Sequence, residues 1–148
     1  MSASLLLCVT IPGEPVGKGR PRVTRSGHAY TPQKTRTWEG DAAATLAIVW
    51  QGRAPLERPV QVIVHAVASR PQRLLRRKDP MHRLWRCAKP DGDNVLKAAL
   101  DALVQAGVIR DDVLAVHAEV RSLYASRFEG PSVEIEVREV SPSLGVES

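Results

Sequence analysis

The chain has 148 residues, 43% hydrophobic and 25% charged, close to the globular norm of ~45–50% and ~25%, which excludes a disordered tail. No apolar run approaches the ~20 residues of a bilayer span, and residues 1–10 lack the basic start and long apolar run of a signal peptide, so a cytoplasmic protein without a membrane segment is expected. The net charge of +5 hides an uneven layout: residues 15–38 carry +6, residues 69–90 carry +7, and the remainder is therefore −8.

At ~100–200 residues per domain, the length predicts one unit, residues 1–140, with a flexible C-terminal tail over 141–148. Leu5 to Ile11, bounded by Pro12 and Gly13, reads as a first strand. Gly13 to Thr31 is rich in Gly and Pro, with Ser26-Gly27 between two short segments, and predicts a basic hairpin or ordered loop. Thr31 before Pro32 predicts a cap followed by a first-turn proline. Ala42 to Trp50 supplies the apolar face of a helix over 32–51, which Gly52 ends.

Val60, Val62, Val64, Ala66 and Ala68 alternate with Gln61 and His65, the pattern of a half-buried strand that stops at Ser69. The basic stretch from there to Lys89 has no periodicity and reads as a mobile loop that orders on binding. Asp93 is the predicted cap of a helix over Asn94–Ala106, with Leu96, Ala99, Leu100, Leu103 and Val104 as its buried stripe and Gly107 closing it in the left-handed conformation. Val113 to Leu123 alternates as a strand, as do Val133, Ile135 and Val137 against Glu134, Glu136 and Arg138. The order β, hairpin, α, β, α, β, β predicts an α+β fold: a two-layer mixed sheet with helices packed on it.

A basic surface beside an acidic remainder is the arrangement expected when a polyanion is gripped at defined places. Arg outnumbers Lys by 16 to 5, and the guanidinium fork suits phosphate oxygens. The candidate DNA contacts are Lys18, Arg20, Arg22, Arg25, Arg73, Arg76, Arg77, Lys78 and Lys89. Cys8 and Cys87 form no C-x-x-C pair, and His28, His65, His82 and His117 have no zinc-enzyme spacing. No G-x-x-x-x-G-K-[ST] loop exists, so a nucleotide cofactor is not expected.

The residues richest in chemistry are Lys89-Pro90-Asp91-Gly92-Asp93-Asn94, then Lys97, Asp101 and Asp111-Asp112. Asp91 and Asp93 flank one glycine ahead of a helix, where an extended turn would point both to one side. Two carboxylates ~4 Å apart repel by about 1–4 kcal/mol, so such a cluster needs a cation or a shared proton. Oxygen-only ligands select Mg²⁺, with Mn²⁺ as a substitute. For Asp112 to join the pair, the strand after the helix must run back alongside it, because thirteen helical residues span roughly 20 Å. The ordinary alternatives are capping by Asp93, surface salt bridges from Lys97 to Asp93 and Asp101, and a polar turn at Asp111-Asp112.

The stretch K-P-D-G-D-N-V-L-K-A-A-L-D-A-L, followed by G-V-I-R-D-D, resembles the RusA-type Holliday-junction resolvases, as does the upstream G-K-G-R-P-R-V-T-R-S-G-H-A-Y-T-P in phage-borne members. The likeness runs over about residues 8–139. It implies a homodimeric, Mg²⁺-dependent endonuclease of four-way junctions in recombination and repair, with Asp91, Asp93 and Asp112 as metal-binding catalytic aspartates and Lys97 as the catalytic lysine. Asp111 and Asn94 fall beside these as accessory candidates. Where some members carry P-P-S-x-N, this chain has Gly13-Glu14-Pro15-Val16-Gly17-Lys18. A nuclease of flaps or other branched DNA, and a non-catalytic basic DNA-binding protein, are the alternatives.

Overall fold

The computed structural model describes residues 4–19, 22–30 and 32–141; Thr31 and residues 142–148 of the expected tail lie outside the described residues. In chain order the elements are β1 (Leu5–Pro12), β2 (Arg22–Val23), β3 (Ala29–Tyr30), α1 (Gln33–Trp50), β4 (Val60–Ala68), β5 (Leu84–Trp85), α2 (Gly92–Gln105), β6 (Ala115–Tyr124) and β7 (Ser132–Glu139). Five strands form a mixed sheet in the order β1-β7-β4-β6-β5, and β2 and β3 pair as a separate hairpin. The expected α+β fold is thus what the chain adopts. Strands β4 and β6 are parallel, joined through α2, and β7 runs antiparallel between β1 and β4.

The period-2 pattern of β4 decides which face is covered: Val60, Val62, Val64 and Ala66 are buried, while Gln61, Ile63 and His65 are half-buried on the other side. Both helices pack on the buried face, in one core with Trp38, Leu46 and Trp50 of α1, Val95 and Leu103 of α2, and Val133, Ile135 and Val137 of β7. At about 25 cal/mol per Å² of apolar surface, this shared layer is the main source of stability.

The helix ends depart from expectation in instructive ways. Pro32 takes the N-cap position of α1 with no side-chain cap, and the helix ends at Gln51, itself left-handed (φ 57°), one residue before Gly52. In α2 the N-cap position belongs to Asp91, and Asp93 lies in the first turn. Its buried stripe is Val95, Ala98, Ala99, Ala102 and Leu103, with Leu96 and Leu100 packed at the margin and Val104 exposed. A stripe of small residues lets α2 approach α1 closely. Its C-terminus behaves as the glycine predicts: Gly107 has φ 79°, its N–H donates to Val104 O, and Val108 N–H donates to Leu103 O, a Schellman closure. Asp112 opens a 3-10 turn, Asp112–Leu114, rather than the strand itself.

The segment from Ser69 to Lys89, expected to be mobile, is built around arginines that never reach solvent as free cations. Arg70 is buried, and its guanidinium donates to the carbonyls of Ala125 (3.0 Å), Leu74 (3.3 Å), Pro80 (2.5 Å) and His82 (2.5 Å). Arg127 reaches across to the carbonyls of Leu75, Arg76 and Asp79. Arg83 clamps Glu129 and Glu134 at 2.8 Å each, and Glu134 also meets His65 at 3.2 Å. A 3-10 turn at Gln72–Leu74 and strand β5, antiparallel to β6, complete the segment.

The Arg83 clamp gives the fold an acid-sensitive joint. Hydrogen bonds from Arg83 hold the Glu129 carboxyl well below its usual 4.5, at about 2, and lower Glu134 as well. A depressed folded-state pKa means that this stabilisation is complete above about pH 4.5 and is lost as pH falls toward 2. Acid denaturation followed by circular dichroism should therefore show a loss of stability through that window. Arg83→Met should flatten it; an identical acid limb in the variant would show that the clamp contributes nothing.

Candidate active site and nucleic-acid interface

Ligand sites of sheets with parallel strands lie beyond the carboxyl ends of those strands, and here three features gather beyond β4 and β6. The basic segment leaves β4 at Ser69, the β6–β7 turn follows Tyr124, and α2 begins where Gly92 meets β6: a Cβ on Gly92 would stand 3.2 Å from Val120 Cγ1. Arg86 N–H donates to Ser122 O at 3.0 Å, fixing the approach to α2. An open cleft of about 410 Å³ results, lined by Arg86, Lys89, Asp91, Gly92 and Ser122 among others.

Asp91 caps α2 with its backbone: its carbonyl accepts from Asn94 N–H and Val95 N–H at 3.1 Å each. Its side chain makes no cap and pairs with Lys89 Nζ at 3.0 Å. Asp93 is exposed in the first turn, and Lys97, one turn further on the same face, is exposed too. The anticipated Lys97 bridges are not formed, because Asp101 is taken by Lys18 Nζ at 2.6 Å, with Glu39 at 3.3 Å on the same ammonium. Hydrogen bonding to Asp101 raises the Lys18 pKa, and burial raises that of Glu39. Lys18 is therefore a bridge between α1 and α2 rather than a free DNA contact.

Glycines flank that lysine for a steric reason. A Cβ on Gly17 would stand 2.8 Å from Pro90 Cβ and 3.2 Å from Asn94 Cβ, so only glycine lets the segment lie across the start of α2, where Lys18 N–H donates to Asn94 O at 2.9 Å.

Asp111 and Asp112 sit elsewhere. Asp111 Oδ1 accepts from Val113 N–H at 3.0 Å, which lowers its pKa; a side-chain hydrogen bond to Asp111, with burial and the charges of Asp111 and Asp101, raises that of Asp112. Asp112 lines a second cavity with Lys18, Lys97, Leu100 and Asp101. Strand β6 does run back along α2, and Asp112, three residues ahead of it, lies beside the middle of that helix, with Lys97, Leu100 and Asp101 rather than in the cleft of Asp91. Lys97 is the shared element, one turn from Asp93 and lining the cavity of Asp112. Oxygen-only donors suit a hard cation, yet among the described residues no three His, Cys, Asp or Glu side chains are placed to hold a metal ion. The single chain thus does not assemble the expected trio of Asp91, Asp93 and Asp112.

Among the remaining candidate DNA contacts, Arg76 is engaged by Asp79 (3.2 Å) and Lys89 by Asp91, while Arg73 is exposed with one long contact to Tyr124 Oη (3.4 Å). Arg77 and Lys78 are exposed and in no ion pair among the described residues, and Arg25 is exposed in the β2–β3 turn. Arg20 and the side chain of Arg22 lie outside the described residues. The double change Arg77→Glu, Lys78→Glu should weaken binding to every DNA form and reduce the slope of log K against log salt by roughly 0.9 per lost phosphate contact. An unchanged slope in a filter-binding titration would turn the segment away from DNA.

Sequence reading missed the arginines that hold the basic segment in place. Arg70, Arg83 and Arg127 look like DNA contacts or generic charge in the sequence, and their carbonyl and carboxylate partners lie 4 to 55 residues away. The paired glycines around Lys18 were the one local signal of a close approach.

The family model described as Endodeoxyribonuclease RusA matches residues 12–138. The chain is also 31% identical over 140 residues to "Uncharacterized protein YqaN" of Bacillus subtilis (strain 168), covering 89% of this chain and 95% of that protein.

Proposed function

The chain belongs to the RusA endodeoxyribonuclease family, and from that premise we propose that it is a cytoplasmic, Mg²⁺-dependent endonuclease that resolves four-way DNA junctions in recombination and repair. One observation carries the reading: Asp93 and Lys97 stand exposed on one face of α2, whose start adjoins the cleft lined by Arg86, Lys89 and Asp91. Cations at the rim hold phosphates by charge, and Lys97 supplies a compact positive charge to a transferring phosphoryl group. Asp91 and Asp93 supply carboxylates that bind or orient what attacks it. Mg²⁺, when bound, would lower the pKa of the attacking water and neutralise the leaving oxygen. A homodimer suits the substrate, since a junction of near two-fold symmetry needs one such centre for each of two strands.

The test is one gel comparing synthetic four-way, flap and linear DNA at equal salt, with Mg²⁺ and with EDTA. Paired nicks in the four-way substrate that require Mg²⁺ are the expected result. Equal cutting of flaps would identify a less selective nuclease, and binding without nicks under any divalent ion would identify a DNA-binding protein.

A further inference from the structure

Phe128 is the only phenylalanine of the chain and is 83% exposed. It sits in the turn between β6 and β7, and that turn is pinned on both shoulders. On one side Ser126 N–H donates to Glu129 Oε2 at 2.8 Å, and Glu129 is itself held by two hydrogen bonds from Arg83. On the other, Arg127 N–H donates to Met81 O at 3.0 Å, and the Arg127 guanidinium binds carbonyls of the basic segment. Met81, the residue joined to this shoulder, is a second exposed apolar side chain at 58%.

A fixed backbone offering a large apolar ring to water is poorly explained by folding, because burying the ring would be favourable and none of the described residues does so. It is well suited to binding, since the ordering entropy of the turn is already spent before a partner arrives. The charge around it narrows the partner. Asp79 is paired with Arg76 and Glu129 with Arg83, whereas Arg77 and Lys78 are exposed cations in no ion pair among the described residues. An apolar ring beside Arg127, whose guanidinium binds the carbonyls on either side of the uncompensated Arg77 and Lys78, fits a polyanion that also has flat π faces, which is a nucleic acid.

In an intact duplex those faces are stacked on one another and unavailable. At a branch point the terminal base pair of each arm has a face with no continuous neighbour. We infer that Phe128, on its pinned turn beside Met81, stacks on a nucleobase exposed at the branch point and so contributes to the selection of branched over linear DNA. This rests on the proposed function and adds to it a residue that determines substrate choice.

The experiment uses the full chain, as wild type, Phe128→Ala and Phe128→Trp. Each is titrated without Mg²⁺ against a four-way junction carrying 2-aminopurine at the branch, and against a linear duplex of the same sequence. The expected result is a loss of about tenfold in junction affinity for Phe128→Ala, the order that one base–aromatic stack supplies, with duplex affinity unchanged. The wild type should quench the 2-aminopurine, the alanine variant should not, and the tryptophan variant should restore both signals. Matching thermal melts confirm folding, as the exposure of the ring leads one to expect.

Junction affinity unaltered in Phe128→Ala overturns the inference, as does an equal loss on junction and duplex. So does a change from dimer to monomer in sedimentation, which would make the ring a contact between copies of this chain. Wild-type protein with no preference for the junction would instead reject the proposed function, and the base contact with it.

Discussion

Replacing Asp93 by Asn is expected to lower Mg²⁺-dependent cleavage of a four-way junction by about a thousandfold, because centres of this kind supply several kcal/mol and each ~1.4 kcal/mol is tenfold in rate. Binding should hold or tighten. The side chain is exposed in the first turn of α2, and Asn keeps its size while removing one negative charge from the path of the phosphates. The fold should tolerate the change, since an acid at that position contributes only about 0.3–1 kcal/mol through the helix dipole. Single-turnover cleavage and gel-shift affinity measured on the same preparation separate the two effects. Undiminished cutting would remove Asp93 from the chemistry. Reduced binding with proportionally reduced cutting would make it a structural residue.

The second large effect concerns stability. Arg70→Met should cost about 3 kcal/mol, because hydrogen bonds to a charged group contribute about 1.5–3 kcal/mol and four carbonyls lose one here. The carbonyls of Leu74, Pro80, His82 and Ala125 would lose their donor together, so the damage should centre on the segment between β4 and β5. Urea denaturation should show the lowered midpoint, and limited proteolysis should cut within residues 71–82 of the variant before the wild type. DNA affinity should fall as well, although the buried Arg70 is placed to hold the segment rather than to touch DNA, because Arg73, Arg77 and Lys78 ride on it. A cost under about 1 kcal/mol would show that the segment holds itself together by other means.

Legibility from sequence followed the range of the interaction. Local rules were enough for β1, an apolar run bounded by Pro12 and Gly13, for β4 and β7, whose period-2 alternation matches the buried pattern seen, and for the Gly107 closure of α2, where a left-handed residue leaves one good choice. They were also enough for the β2–β3 hairpin around Ser26-Gly27, where Gly27 has φ 88°. They misassigned the cap of α2, because Asp91 and Asp93 are both good caps by residue type. Strand β5 escaped notice because two residues carry no period.

The acidic and basic clusters show the same boundary. Charge composition along the chain, and the spacing of Asp91, Asp93 and Lys97 on one helical turn and its approach, follow from residue identity alone, and with them came the family. Which cations are free did not follow: Lys18, Arg70 and Arg83 are each claimed by a partner that only folding brings near. Nor did the position of Asp112, which the fold seats in a cavity with Lys97 and Asp101. The sequence by itself therefore determined the chemistry the chain carries, because side-chain type and short spacing are covalent facts. The tertiary structure alone decided which of those groups are spent on holding the molecule together and which are left facing outward, because ion pairs and hydrogen bonds form by proximity in space and the strongest available partner wins.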